Sequence, residues 1–123
     1  MNQILLIDDD QQLGPPLATY FKRFELGLTH ALTPSEGLAL RARGGYDAAI
    51  LDVMLPEISG YEICQSMRLD PNLSDVKILM MTARGSAIER RKGIALGADG
   101  FIAKPFELKE LRDEVRRLLG QGG

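Results

Sequence analysis

Cysteine is nearly absent from this chain of 123 residues, with Cys64 the single example. One cysteine cannot close an internal disulfide, and no cysteine spacing of the metal-binding kind exists. A disulfide scaffold and a zinc knuckle are both excluded, and a reducing, cytoplasmic setting is expected. Long apolar runs are missing too: none approaches the roughly 20 residues needed to span a bilayer. Charge of one sign does not dominate. The formal net charge is 15 − 17 = −2, so nothing draws the whole domain toward nucleic acid or an anionic membrane. No basic segment precedes the first apolar run, so a signal peptide is not expected. Repeats, low-complexity segments and a second-domain linker are also lacking. The length and an ordinary apolar content of 45% suit one domain with a real core. We expect that domain over residues 1–119, with 120–123 as a flexible tail.

What is present is a set of short apolar runs, each ending in a chemically useful group. Ile4-Leu5-Leu6-Ile7 stops at Asp8-Asp9-Asp10, and Ala49-Ile50-Leu51 stops at Asp52. Ile78-Leu79-Met80-Met81 stops at Thr82, and Phe101-Ile102-Ala103 stops at Lys104-Pro105. Such runs read as buried strands of a parallel sheet. A fifth, short strand fits Leu28–Leu32, and the first is expected over Gln3–Ile7.

Helix signals alternate with the strands. Leu17, Tyr20, Phe21 and Phe24 lie at helical spacing, so a helix is expected to end near Phe24-Glu25. Pro15 and Pro16 require it to start near Gly14-Pro15 or to begin irregularly. Thr33-Pro34-Ser35-Glu36, Ser59-Gly60-Tyr61-Glu62 and Ser86-Ala87-Ile88-Glu89 each set a hydroxyl three residues before a glutamate, the pattern of a capping box. Gly44-Gly45 and Gly97 suit helix ends. A last helix, about Glu107–Leu119, carries Leu108, Leu111, Val115, Leu118 and Leu119 on one face. Five βα repeats of this kind with right-handed crossovers give a doubly wound parallel sheet with helices on both faces. Strand order 2-1-3-4-5 would place the first and third strands side by side at the switch point, with Asp8, Asp9 and Asp52 facing one another across it.

Clustered carboxylates repel, and a bound divalent cation relieves the cost. Mg²⁺ prefers oxygen ligands and takes one or two carboxylates together with phosphate. Asp9 and Asp52 are the expected direct ligands, with Asp8 acting through water. A carboxylate can also accept a phosphoryl group as an aspartyl phosphate. Asp52 is the best candidate, because it stands alone at a strand end and opens the Leu55–Gly60 loop. Taken singly, these residues have bland readings: a solvated acidic turn, a strand cap, a β-forming threonine, a surface lysine. Their conjunction at four strand ends is what a bland fold does not need.

The matching segments Ile4–Asp10, Ile50–Gly60, Ile78–Ala83 and Gly97–Phe106 resemble the receiver domain of two-component response regulators, a flavodoxin-like fold, over essentially the whole chain. The resemblance implies that a sensor histidine kinase or phosphotransfer protein delivers a phosphoryl group to Asp52. It implies Mg²⁺ at Asp8, Asp9, Asp52 and the Met54 carbonyl. Lys104 would pair with a phosphoryl oxygen across a usually cis Lys104-Pro105 peptide, and Thr82 with the Ala83 N–H would receive the phosphoryl group. Phe101 would be the switch aromatic, packing inward when the Thr82 hydroxyl moves. Met54 and Arg84 would overhang the phosphoryl group and tune its lifetime. Such a domain is a signalling switch and not a turnover enzyme.

The same resemblance makes the fourth helix, fifth strand and fifth helix the output face. It carries Glu89, Arg90, Arg91, Lys92, Asp99, Glu110, Arg116 and Arg117, which fit either a symmetric dimer or a solvated surface. The Met-Leu-Pro stretch after Asp52 looks like regulators with winged-helix DNA-binding domains. Those often carry an acidic pair before the fifth strand, where the second position here is Gly100. On this reading the domain itself contacts neither nucleic acid nor membrane.

Three other readings compete with this one. A haloacid-dehalogenase-type phosphatase would use Asp8 as nucleophile and Asp10 as acid, but expects its acidic motif after the lysine, whereas Asp52 precedes it. A flavodoxin-like flavin carrier needs a phosphate-cradling loop where Asp8-Asp9-Asp10 would repel phosphate. A receiver that never takes phosphate would not need its acids, Thr82 and Lys104 intact.

Overall fold

A computed structural model of the protein describes residues 1–42, 44–55, 57–83 and 87–121. Five parallel strands alternate with five helices: β1 Asn2–Ile7, α1 Gly14–Lys22, β2 Leu26–Ala31, α2 Pro34–Ala42, β3 Ala48–Asp52, α3 Gly60–Leu69, β4 Lys77–Thr82, α4 Ala87–Ala95, β5 Gly100–Ala103 and α5 Leu108–Leu118. The sheet order is β2-β1-β3-β4-β5, as the alternating runs imply.

Alternation along each strand divides the core into two layers. Ile4, Leu6, Ile50, Leu79, Met81 and Ile102 face α1 and α5, meeting Leu17, Phe21, Leu111 and Val115. Leu5, Ile7, Leu51, Ile78, Met80 and Phe101 face the other way, toward Tyr61, Ile63, Cys64 and Met67 of α3. Burial pushes the Cys64 thiol up to about 11, so it behaves as a small apolar side chain.

Local chemistry accounts for most boundaries. The prolines of α1 fall in its first turn, and the helix starts at Gly14. It ends earlier than its aromatic spacing implies, at Lys22, because Glu25 takes a left-handed conformation with φ 59°. That turn lets β2 begin at Leu26 instead of Leu28, pairing Leu26 with Asn2. Gly27 interrupts the apolar run and hides this start in the sequence. The Ser59 side chain accepts from the Glu62 N–H at 3.3 Å, and Thr33 accepts from the Glu36 N–H at 3.1 Å. The third expected cap, at Ser86, lies outside the described residues. A cap the spacing rule missed opens α5, where the Glu110 carboxylate accepts from the Glu107 N–H at 3.2 Å.

Gly120 and Gln121, expected in a flexible tail, instead close α5. Gly120 has φ 77°, its N–H reaches the Arg117 carbonyl, and the Gln121 N–H reaches that of Arg116 at 2.8 Å. This is a Schellman closure. Gly122 and Gly123 lie outside the described residues.

At the amino-terminal edge of the sheet, Arg68 binds three carbonyls. It donates to Gly97 at 2.8 Å, to Ser74 at 3.1 Å and to Val76 at 2.7 Å. Its remaining nitrogen meets Asp99 at 2.5 Å, and that same carboxylate accepts from the Ile78 N–H. The clasp ties the end of α3 to the α4–β5 turn. No described helix is long and apolar enough to cross a membrane.

Candidate functional site

The strand register brings the expected groups to one edge. Ile7 pairs with Leu51, so Asp8 and Asp52 leave adjacent strands at the same level. Asp52 pairs with Met81 and Thr82 with Ala103, which sets Thr82 and Lys104 alongside. Asp8, Asp9 and Asp52 each offer a carboxylate oxygen, all within 4.8 Å of one another. Asp8 is fully buried and Asp52 is 6% exposed, while Asp9 is exposed.

Lys104 spans the two buried acids. Its Nζ lies 2.8 Å from Asp8 Oδ2 and 3.3 Å from Asp52 Oδ2, and the Lys104-Pro105 peptide is cis. The Asp10 N–H donates to Asp8 Oδ1 at 2.8 Å, and the Met54 N–H donates to Asp52 Oδ1 at 3.0 Å. Burial lifts the Asp52 pKa above the ordinary aspartate value; the Met54 N–H and Lys104 pull it back, and Asp8 adds to the rise. For Lys104, burial works against the charge, but the bond to Asp8 and the charges of Asp52 and Asp8 outweigh it, so its pKa is raised. Low dielectric penalises both charges; the Met54 N–H is the first compensation for Asp52, and Asp8 the first for Lys104.

Gly60 keeps the β3–α3 loop close to the site. A Cβ there would lie 2.4 Å from the Asp52 carbonyl oxygen, so only glycine admits this approach. A cavity of about 360 Å³ opens beside Asp52, lined by Val53, Met54, Thr82, Ala83 and Glu89. Thr82 is 3% exposed, and its carbonyl accepts from the Lys104 N–H at 2.7 Å. A second cavity, about 450 Å³, lies on the other side of Lys104 between Asp10, Leu13 and Phe106.

Phe101 stands apart from this edge. Its ring is already inward and 7% exposed, under α4, where a Cβ on Gly93 would come within 2.2 Å of it. Arg84 lies outside the described residues.

The matched sequence and fold now decide the family. The family model described as the response regulator receiver domain matches residues 4–116. The chain belongs to the response-regulator receiver family. The receiver is 35% identical over 123 residues to the sensory transduction protein RegX3 of Mycobacterium tuberculosis, covering 100% of this chain and 53% of that protein. It is 34% identical over 119 residues to the DNA-binding dual master transcriptional regulator RpaA of Synechocystis, covering 97% of this chain and 49% of that protein. The receiver therefore spans about half the length of these relatives. Chemotaxis response regulator CheY4 of Vibrio cholerae superposes with a TM-score of 0.90 at 26% identity, over 96% of this chain and 98% of that one. The receiver domain of the Francisella response regulator 1452 gives 0.89 at 26% identity, over 98% of both chains. Nothing in these likenesses supports the phosphatase reading built on Asp8, whose side chain is occupied by Lys104 and the Asp10 N–H.

Two contacts escaped the reading of strand ends. His30 Nε2 donates to the Asp8 carbonyl oxygen at 2.7 Å. The Tyr61 hydroxyl donates to the Glu89 carboxylate, with Lys92 Nζ 4.6 Å from the centre of the same ring. Each joins residues more than 20 positions apart, and no local spacing announces them. The contacts also change the picture of the charged output face. Glu89 faces Tyr61, Asp99 faces Arg68, and Arg117 pairs with Glu114 at 2.8 Å.

Proposed function

We propose that Asp52 accepts a phosphoryl group from the phosphohistidine of a sensor histidine kinase or phosphotransfer protein. The observation that carries this is the meeting of three carboxylates and one ammonium at the carboxyl edge of the sheet. An all-oxygen donor set of this kind suits Mg²⁺, with Asp8, Asp9, Asp52 and the Met54 carbonyl as the groups that would hold it. Bound there, the ion supplies positive charge against the equatorial phosphoryl oxygens.

The Asp52 carboxylate attacks phosphorus, a P–O bond forms, the P–N bond to the donor imidazole breaks, and that imidazole takes a proton from solvent. Lys104 keeps positive charge beside the acceptor throughout. The product carries roughly −2 of charge on the phosphoryl oxygens in place of the carboxylate's single charge, and the Thr82 hydroxyl and the Ala83 N–H answer it. Phe101, whose ring is already inward, stays packed under α4 once the Thr82 hydroxyl has moved. Water later attacks phosphorus and releases phosphate. Met54, 73% exposed just past Asp52, overhangs that step and slows it. Met54→Asn is expected to speed dephosphorylation several-fold in a phosphate-release assay; unchanged or slower decay removes Met54 from this role.

The receiver works in the cytoplasm as the N-terminal part of a DNA-binding regulator, and signals or dimerises through α4, β5 and α5. The groove of about 620 Å³ between α4 and α5, bordered by Arg90, Ile94, Asp113 and Arg117, supports that use. Incubation with acetyl phosphate and Mg²⁺, followed by site mapping, tests the central claim. Modification at Asp52 that vanishes in Asp52→Asn is expected. Modification at Asp8, or none, overturns it.

A further inference from the structure

We infer that His30 is a positioning residue that sets the β1–α1 turn carrying both metal-binding aspartates; the inference rests on the reading of Asp8 and Asp9 as metal ligands. Ladder pairing between β1 and β2 ends at Ile7 with Ala31, so Asp8 leaves the sheet just where its geometry matters. Its N–H still reaches the Ala31 carbonyl at 3.1 Å. Its own carbonyl has passed the strand, and the His30 imidazole supplies the donor at 2.7 Å. A carbonyl only accepts, so Nε2 carries the proton. Two neighbouring residues of β2 thus grip both main-chain polar groups of Asp8.

The carbonyl held by His30 belongs to the Asp8–Asp9 peptide. That unit is planar, so fixing its oxygen fixes the direction in which the chain continues to Asp9. Asp9 is exposed and depends on this backbone for its aim. The imidazole is confined on its other side by the start of α1. A Cβ on Gly14 would lie 2.1 Å from His30 Nδ1 and 2.8 Å from its Cγ, so a glycine is what leaves the ring its place. One side chain therefore braces the turn at both ends, at Asp8 where it begins and at Gly14 where the helix takes over. Groups one step removed from a metal commonly change its affinity by about 10–100-fold when lost.

Isothermal titration of the full chain with Mg²⁺ tests the role without any phosphorylation. His30→Ala is expected to weaken binding about tenfold. His30→Gln, which keeps an amide donor, is expected to recover to within about threefold of the unsubstituted chain. Gly14→Ala is expected to weaken binding as well, and to add little in the His30→Ala background, because the crowded ring is then gone. Arg68→Ala breaks the clasp at the opposite edge of the sheet; it is expected to lower the melting temperature and leave the Mg²⁺ affinity unchanged. His30→Ala binding Mg²⁺ like the unsubstituted chain, or His30→Gln binding as weakly as His30→Ala, overturns the role of His30 alone. No Mg²⁺ binding by the unsubstituted chain overturns the metal reading, and this inference with it.

Discussion

α4 and α5 flank the same strand, β5, yet they are anchored by different physics. α5 buries Leu111 and Val115 completely and lays Leu108 and Leu118 against the same layer. α4 buries only Gly93, while its Ile88 and Ile94 are 76% and 57% exposed. What holds α4 is a handful of discrete contacts: the Tyr61–Glu89 hydrogen bond, Lys92 over the Tyr61 ring, and the fit of Phe101 against Gly93. A helix with few buried apolar contacts opens at low free-energy cost. The difference teaches that β5 is held loosely on its α4 side and firmly on its α5 side.

The comparison can be broken most severely in the core. Leu111→Ala is expected to cost about 2–5 kcal/mol in urea unfolding, whereas Ile94→Ala should stay within about 0.5 kcal/mol. Equal losses would mean that α4 is as firmly packed as α5. Gly93→Ala comes next. Its methyl meets the Phe101 ring, and overpacking of this kind costs about 1–3 kcal/mol. Movement of the Phe101 ring resonances, with those of α5 unchanged, is the expected NMR signature.

Tyr61→Phe removes one hydrogen bond worth about 1 kcal/mol. Amide exchange should quicken in α4 and remain unaltered in α5. The smallest effect concerns Asp52, because the Met54 N–H and Lys104 offset much of its burial. Its folded pKa is raised, so the native state holds the proton more tightly than the unfolded chain does. Stability is then full below the unfolded value, near 3.8, and declines as pH rises through the folded value. Asp52→Asn should accordingly melt higher than the unsubstituted chain at pH 7, with the gap closing in acid. A gap that widens on acidification contradicts the burial account.

The carboxyl edge of the sheet was legible in the sequence, since β1, β3, β4 and β5 are short apolar runs that each end in or are followed at once by a polar residue. Parallel pairing then does the rest, carrying Asp8, Asp52, Thr82 and Lys104 to one side. The start of β2 was obscured by Gly27 and by Glu25 in a left-handed turn that its side chain does not advertise. The closure of α5 by Gly120 and Gln121 was not legible, because glycine at a chain end reads equally as a tail. His30 was illegible because its importance lies in a backbone carbonyl on the neighbouring strand. The weak anchoring of α4 also stayed hidden, since Ile88 and Ile94 look like core residues until the helix is seen to turn them outward.

The Arg68 clasp has a mechanical consequence. It pins the Gly97 turn, where α4 hands over to β5, while Glu89, near the other end of the helix, meets the Tyr61 hydroxyl. A rod pinned at one end turns about its pin, so a load applied from the aspartate pocket would displace the α4 tip more than the Gly97 turn.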